Sequence, residues 1–211
     1  MKLIGMLDSP YVRRTAITLR CLGVPFEHQA LSVFSTFKEF RALNPVVKAP
    51  TLILDTGEVL MDSTLIIQYA ESCLAGRSLL PTTKHARMIE LQCISHALVA
   101  TDKSVQLIYE RNLRPVEAQH EPWLERVTGQ ILAACAGLET ILAQHSLSVE
   151  SGKLTQAAVT SAVAWQFINN MLPALVTAAN HPHLQNLSTL AESLPEFLAF
   201  PPDGPGVVAT P

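Results

Sequence analysis

Three short segments of this chain carry residue types that can do chemistry, and all three lie within its first 63 residues. In Asp8-Ser9-Pro10-Tyr11-Val12-Arg13 a serine precedes a proline at the start of a helical pattern. That is the composition of an N-cap followed by Pro at the first helical position. The segment is complete as a capped helix, and the same geometry is also a site. A helix N-terminus presents unpaired N–H groups and about half a positive charge, which favours an anion such as a thiolate. The Ser9 hydroxyl can donate a hydrogen bond to it.

The second segment is Asn44-Pro45-Val46-Val47-Lys48-Ala49-Pro50-Thr51-Leu52. Read alone, Pro50 is an ordinary trans proline at the threshold of a strand, because only about one X–Pro bond in twenty is cis. A cis bond there turns the Ala49 backbone outward and leaves its N–H and C=O free to pair with an extended peptide. The third segment, Asp62-Ser63, is sufficient as an N-cap pair. As a site, its carboxylate can hold an ammonium while Ser63 and the helix start hold a carboxylate. That combination suits an amino-acid head group.

The elements that must position these residues alternate before residue 80. An apolar run at 2–6 is followed by a helical pattern from Pro10 with Val12, Ala16 and Leu19 on one face, stopped at Gly23 and Pro25. A second strand fits 26–31, and a short helix fits 36–42. Strands at 51–54 and 59–61 flank the turn Asp55-Thr56-Gly57, and a last helix runs through Leu65, Ile66 and Tyr69. The order β-α-β-α-β-β-α describes an α/β domain over residues 1–75, too small to be doubly wound. Residues 76–84 read as a linker containing Gly76 and Pro81.

Residues 85–200 carry only helical patterns, at 86–112, 123–145, 155–171 and 183–193, the third ended or kinked by Pro173. The remainder, 201–211, is too rich in proline and glycine for regular structure and reads as an extended tail.

Composition narrows the function. The chain has 211 residues, 48% hydrophobic and 16% charged, which excludes a largely disordered protein. Fifteen basic against 18 acidic side chains give a net charge of −3, without the basic face that nucleic-acid binding needs. Cys21, Cys73, Cys93 and Cys135 lie far apart with no metal-like spacing, as expected of free thiols in a reducing cytoplasm. The most apolar long stretch, 157–179, is broken by polar residues and Pro173, so no membrane span is expected.

Taken together, SPYVRR, the NPxxKxP run, the Asp-Ser pair and the GRxLLP linker resemble the glutathione transferase superfamily along essentially the whole chain. The resemblance implies a thioredoxin-like N-terminal domain that binds glutathione and an all-α C-terminal domain that completes the site for a small apolar electrophile. It implies Ser9 as the group that activates the glutathione sulfur. Lys48 and Ala49 then hold the cysteinyl-glycine part beside a cis Pro50, and Asp62 and Ser63 hold the γ-glutamyl end. Tyr11 is the rival to Ser9, since other branches use a tyrosine hydroxyl. A homodimer is implied, with no metal and no cofactor beyond glutathione as co-substrate. The same fold also hosts non-catalytic interaction modules and glutathione-dependent isomerases. The absence of Cys at position 9 weakens a reductase.

Two departures from the family pattern stand out. Ala49 replaces the usual Val or Ile. Ala158 removes the acid of a capping box that would begin at Thr155, a loss of about 1 kcal/mol. In the helical domain Asp102 falls on an apolar stripe, beside Lys103, as a cleft-lining acid or a partly buried one. Tyr109 and Arg111 read as core or solvent residues, with a substrate-side role as the alternative, His181-Pro182-His183 as a helix entry, and Arg13-Arg14 as a helix face or interface.

Overall fold

The computed structural model describes residues 1–207. The last four residues of the sequence-defined tail, 208–211, lie outside the described residues. The chain forms two compact units, the first comprising Met1–Leu79 with Pro195–Gly206, and the second built from Leu80–Leu194.

The first unit is a four-stranded sheet with helices α1 (Pro10–Leu22), α2 (Phe37–Leu43) and α3 (Ser63–Tyr69), the last running into a π-helical turn at Ala70–Leu74. Strands β1 (Lys2–Ile4), β2 (Glu27–Gln29), β3 (Thr51–Ile53) and β4 (Val59–Met61) lie in the order β2-β1-β3-β4. β1 pairs parallel to β2 and antiparallel to β3, and β3 forms the hairpin with β4. This is the thioredoxin-like layer arrangement expected of the sequence. Val12, Ala16 and Leu19, the stripe that defines α1, are fully buried with Leu3, Leu52 and Ile66. About 1.5–3 kcal/mol accompanies the burial of each such large side chain.

Two stretches that the sequence places elsewhere belong to this unit. Gly76 to Leu79, read as linker, is tied down: Arg77 donates to the Cys21 carbonyl, the Leu79 amide donates to Glu71 at 2.8 Å, and Leu79 is buried. Residues 195–206, read as the end of the helical domain and a free tail, carry a short helix α8 (Pro195–Leu198) and pack on α1. Phe197 is 1% exposed and Phe200 stacks on Phe26 with centroids 5.7 Å apart. Beyond α8, proline and glycine preclude regular structure without precluding packing.

The second unit is helical throughout: α4 (Lys84–Leu113), α5 (Glu121–Gln144), α6 (Gln156–Met171) and α7 (Pro182–Glu192). α6 is buried nearly all round through Ala157, Ala158, Val159, Ala162, Val163, Trp165 and Ile168, as befits a central helix. α5 is long and apolar enough to cross a membrane, but its buried stripe of Val127, Ile131, Cys135, Leu138 and Leu142 is that of a core helix packed on α4.

Thr155 caps α6, its hydroxyl accepting from the Ala158 amide at 3.3 Å. The partner missing at position 158 is supplied from α4. Glu90 accepts from the Ala157 amide at 3.4 Å and is hydrogen-bonded to Thr155.

Candidate functional site

Strand register brings the three chemical segments to one end of the first unit's sheet. Ile4 pairs with Thr51, and Thr51 pairs with Met61. The loop leaving β1 toward Ser9, the Ala49-Pro50 entry to β3 and the Asp62-Ser63 exit from β4 are therefore neighbours. Gly5 permits the close approach. At its φ of +140° a side chain is strained, and an added Cβ would lie 2.5 Å from Val12 and 3.3 Å from the Ala49 Cβ.

Ser9 is the N-cap of α1, with extended backbone and its Oγ accepting from the Val12 amide at 3.4 Å. Because Oγ is the acceptor in that bond, its hydrogen remains for another partner. The preceding residue anchors the loop: the Asp8 amide donates to the Asp203 carbonyl at 3.0 Å, and its carboxylate accepts from the Gly206 amide at 2.8 Å. Burial pushes the Asp8 carboxyl up and nearby Asp203 adds to the rise, while the Gly206 and Ser9 amides oppose it. A Cβ at Gly204 would fall 2.3 Å from the Asp8 carboxyl carbon, so a larger residue there would push this side chain aside.

The Ala49–Pro50 peptide is cis. The turn leading to it is built around buried Asn44, whose amide group donates to the Thr51 Oγ at 2.9 Å and whose carbonyl accepts from the Val46 amide at 3.0 Å. Thr51 in turn donates to the Lys48 carbonyl at 2.6 Å. Val47 is held at φ +53°, a sparsely occupied conformation for a β-branched residue. Lys48 is exposed, with its ammonium 5.9 Å from the Tyr11 ring centroid. Tyr11 thus presents its ring face to the Lys48 cation.

Asp62, at φ +74°, caps α3 by accepting from the Thr64 and Leu65 amides at 2.8 and 3.4 Å. Ser63 is buried, and Arg14 donates to its Oγ at 2.9 Å. Arg13 and Arg14, read from sequence as a helix face or interface, are 1% and 3% exposed and so do not form an exposed helix face. Arg13 donates from Nε to the Phe200 carbonyl at 2.8 Å and lies 5.6 Å over the Phe197 ring. Sequence reasoning missed the roles of Asn44, Asp8 and both arginines. Only Asn44 carried a local signal, as an Asn-Pro pair between a helix and a strand.

The candidates of the second unit have ordinary structural surroundings. Asp102 is exposed rather than turned inward, paired with Lys103 at 3.1 Å and accepting from Gln106 at 2.9 Å. Tyr109 and Arg111 are exposed. His181 is buried against Trp165, and His183 Nδ1 lies 2.7 Å from Glu139, which also takes the His183 and Leu184 amides at the start of α7. Among the described residues no cluster of three or more His, Cys, Asp or Glu could hold a metal.

The family model for the N-terminal domain of glutathione S-transferases matches residues 3–78. A GST-like protein of Escherichia coli K12, YibF, is 26% identical over 189 residues, 89% of this chain and 91% of its own. A glutathione S-transferase of Methylobacterium radiotolerans, solved in complex with glutathione sulfonate, superposes with a TM-score of 0.88 at 25% identity, covering 99% of this chain and 98% of its own. A glutathione transferase family member of Pseudomonas fluorescens Pf-5, with bound S-(propanoic acid)-glutathione, is 30% identical with a TM-score of 0.77, covering 94% of this chain and 97% of its own.

Proposed function

Because this chain belongs to the glutathione S-transferase superfamily, we propose that it binds glutathione at the sheet end described above and transfers the thiolate to a small apolar electrophile, with Ser9 as the activating residue. The observation that carries this reading is the convergence of Ser9, the cis Ala49–Pro50 peptide and Asp62-Ser63, with the Ser9 hydroxyl hydrogen free to point at a bound sulfur.

In this reading the backbone of Ala49 pairs with the cysteinyl segment, Lys48 faces the glycine carboxylate, and Asp62 and Ser63 take the ammonium and carboxylate of the γ-glutamyl end. Ser9 donates to the sulfur and holds it as thiolate. A free thiol with a pKa near 8.5 is only about 3% ionised at pH 7. Lowering that pKa by about two units requires roughly 2.7 kcal/mol of preference for the thiolate. A charge-assisted hydrogen bond supplies about 1.5–3 kcal/mol and the N-terminus of 13-residue α1 adds about 0.3–1. The thiolate then attacks the electrophilic carbon, and the leaving group or carbon centre takes the electron pair. Tyr11 is assigned to packing against Lys48 instead of activating sulfur. The same reading carries a homodimer in the cytoplasm, checked by light scattering and by cell fractionation.

The test is an ultraviolet titration of the thiolate band of glutathione at saturating protein. A band persisting well below the free thiol's pKa, lost in S9A while glutathione affinity is kept, supports the assignment, with turnover falling roughly tenfold to a hundredfold. Unchanged turnover in S9A removes Ser9 from the role. Binding without a shifted thiolate indicates a non-catalytic ligand module. Turnover of a cis-alkene without consumption of glutathione indicates an isomerase.

A further inference from the structure

A cavity that the reading above leaves unused lies in the first unit, at the end of α1 opposite Ser9. It has a volume of about 330 Å³ and is lined by Arg20, Val24, Pro25, Phe26, His28 and Phe200. The 13 residues of α1, at about 1.5 Å each, set that end roughly 20 Å from the Ser9 cap.

The lining combines an aromatic wall with an uncommitted cation. Phe26 and Phe200 stack with their planes 22° apart, and both stay half-buried, so the pair keeps apolar surface facing the cavity. The His28 ring is fixed as part of the wall, because its Nε2 donates to the Gly5 carbonyl at 2.8 Å. Arg20 is exposed, and its guanidinium has no hydrogen-bond or ion-pair partner among the described residues. A basic residue in the last turn of a helix usually serves the open carbonyls there. Here the Gly23 and Val24 amides already take the Arg20 and Leu19 carbonyls at 3.0 and 2.9 Å. Glu27, the acid nearest Arg20 in sequence, is paired with Lys2 at 3.6 Å. The guanidinium is therefore left for an anion from outside, and its planar fork suits the two oxygens of a carboxylate.

We propose that this cavity is a second binding site, separate from the glutathione site, for a small aromatic carboxylate whose ring lies against Phe26 and Phe200 and whose carboxylate pairs with Arg20. The volume is at the low end for ligand pockets, which limits the occupant to one or two rings. Such an occupant rests on Phe200, whose carbonyl fastens the 195–206 segment to Arg13.

The probes are 2-naphthoate and its neutral analogue 2-naphthamide, titrated calorimetrically into the full chain. Wild type should bind naphthoate more tightly than the amide. R20Q, a change at an exposed position, should weaken naphthoate by roughly threefold to tenfold and leave the amide within about twofold. Saturating S-hexylglutathione should leave naphthoate affinity within about twofold, and naphthoate should slow proteolytic cleavage within 195–206. Equal affinity for the two probes, unchanged naphthoate affinity in R20Q, displacement by S-hexylglutathione, or no binding at the solubility limit each overturns the proposal. None of these outcomes bears on the role given to Ser9.

Discussion

The Glu90 carboxylate of α4 sits at the first turn of α6, 3.4 Å from the Ala157 amide and bonded to Thr155, where the helix's own sequence offers alanine. A capping interaction usually made within one helix is here made between two, so it joins the packing of α4 on α6 to the local stability of α6. E90A should cost about 1–2 kcal/mol, and E90Q less because its carbonyl still accepts from Ala157. Urea unfolding midpoints of the three proteins measure this.

The same residue gives a pH signature. Burial pushes the Glu90 carboxyl above its ordinary 4.5, against the bonds from Thr155 and Ala157. The folded state then binds the proton more tightly than the unfolded one. The contribution is full below 4.5 and lost as pH rises through the folded value. E90Q should lack that segment of the stability–pH curve, and identical curves for the two proteins would contradict the assignment.

Asn44 should tolerate no change of polarity. In N44D a carboxylate oxygen replaces the donor facing the Thr51 Oγ, whose own hydrogen is committed to the Lys48 carbonyl. Two acceptors then face each other in a buried site, at a cost of about 1–3 kcal/mol. Glutathione affinity should fall with it, because the turn that presents Ala49 is loosened. Calorimetric stability and a glutathione titration check both effects.

Replacing Arg13 should release the end of the chain. R13M removes the donor to the Phe200 carbonyl and the cation over Phe197 while keeping much of the buried volume. Limited proteolysis should then cut within 195–206 well before any site in the second unit. Wild-type resistance in the variant would show that Phe197 and Phe200 suffice alone.

The four cysteines should separate by reactivity. Burial pushes Cys21 and Cys135 up to about 12 and Cys93 to about 11, whereas Cys73 is exposed. Since the thiolate is the reactive form, a disulfide reagent should titrate one thiol rapidly in the native protein and all four in denaturant. Mass spectrometry should place the fast label on Cys73.

The order of strands and helices was legible because alternation, helical stripes and Gly/Pro punctuation are local signals, and Ser9 and Asp62 announced themselves as caps by their positions before helical runs. What stayed hidden depends on partners remote in sequence. Arg14 meets Ser63 across 49 residues, Glu90 meets Ala157 across 67, and Arg13 meets Phe200 across 187. Two adjacent arginines on a helix look locally like a solvated surface. Nothing near them encodes the carbonyl and hydroxyls that bury them. The cis geometry at Pro50 likewise had no local sign beyond the proline itself, and only the family resemblance carried it.

Residues 195–206 bear on the order in which the molecule is made. All helices of the second unit lie within Leu80–Leu194, so a growing chain holds them once residue 194 has emerged from the ribosome. The first unit begins synthesis earlier yet lacks, until residues 195–206 appear, the Phe200 carbonyl for Arg13 and the Gly206 amide for Asp8. Translation therefore supplies every helix of the second unit before the segment that packs on α1 of the first. The loop carrying Ser9 acquires its Asp8 anchor only after the helices of the second unit have been made.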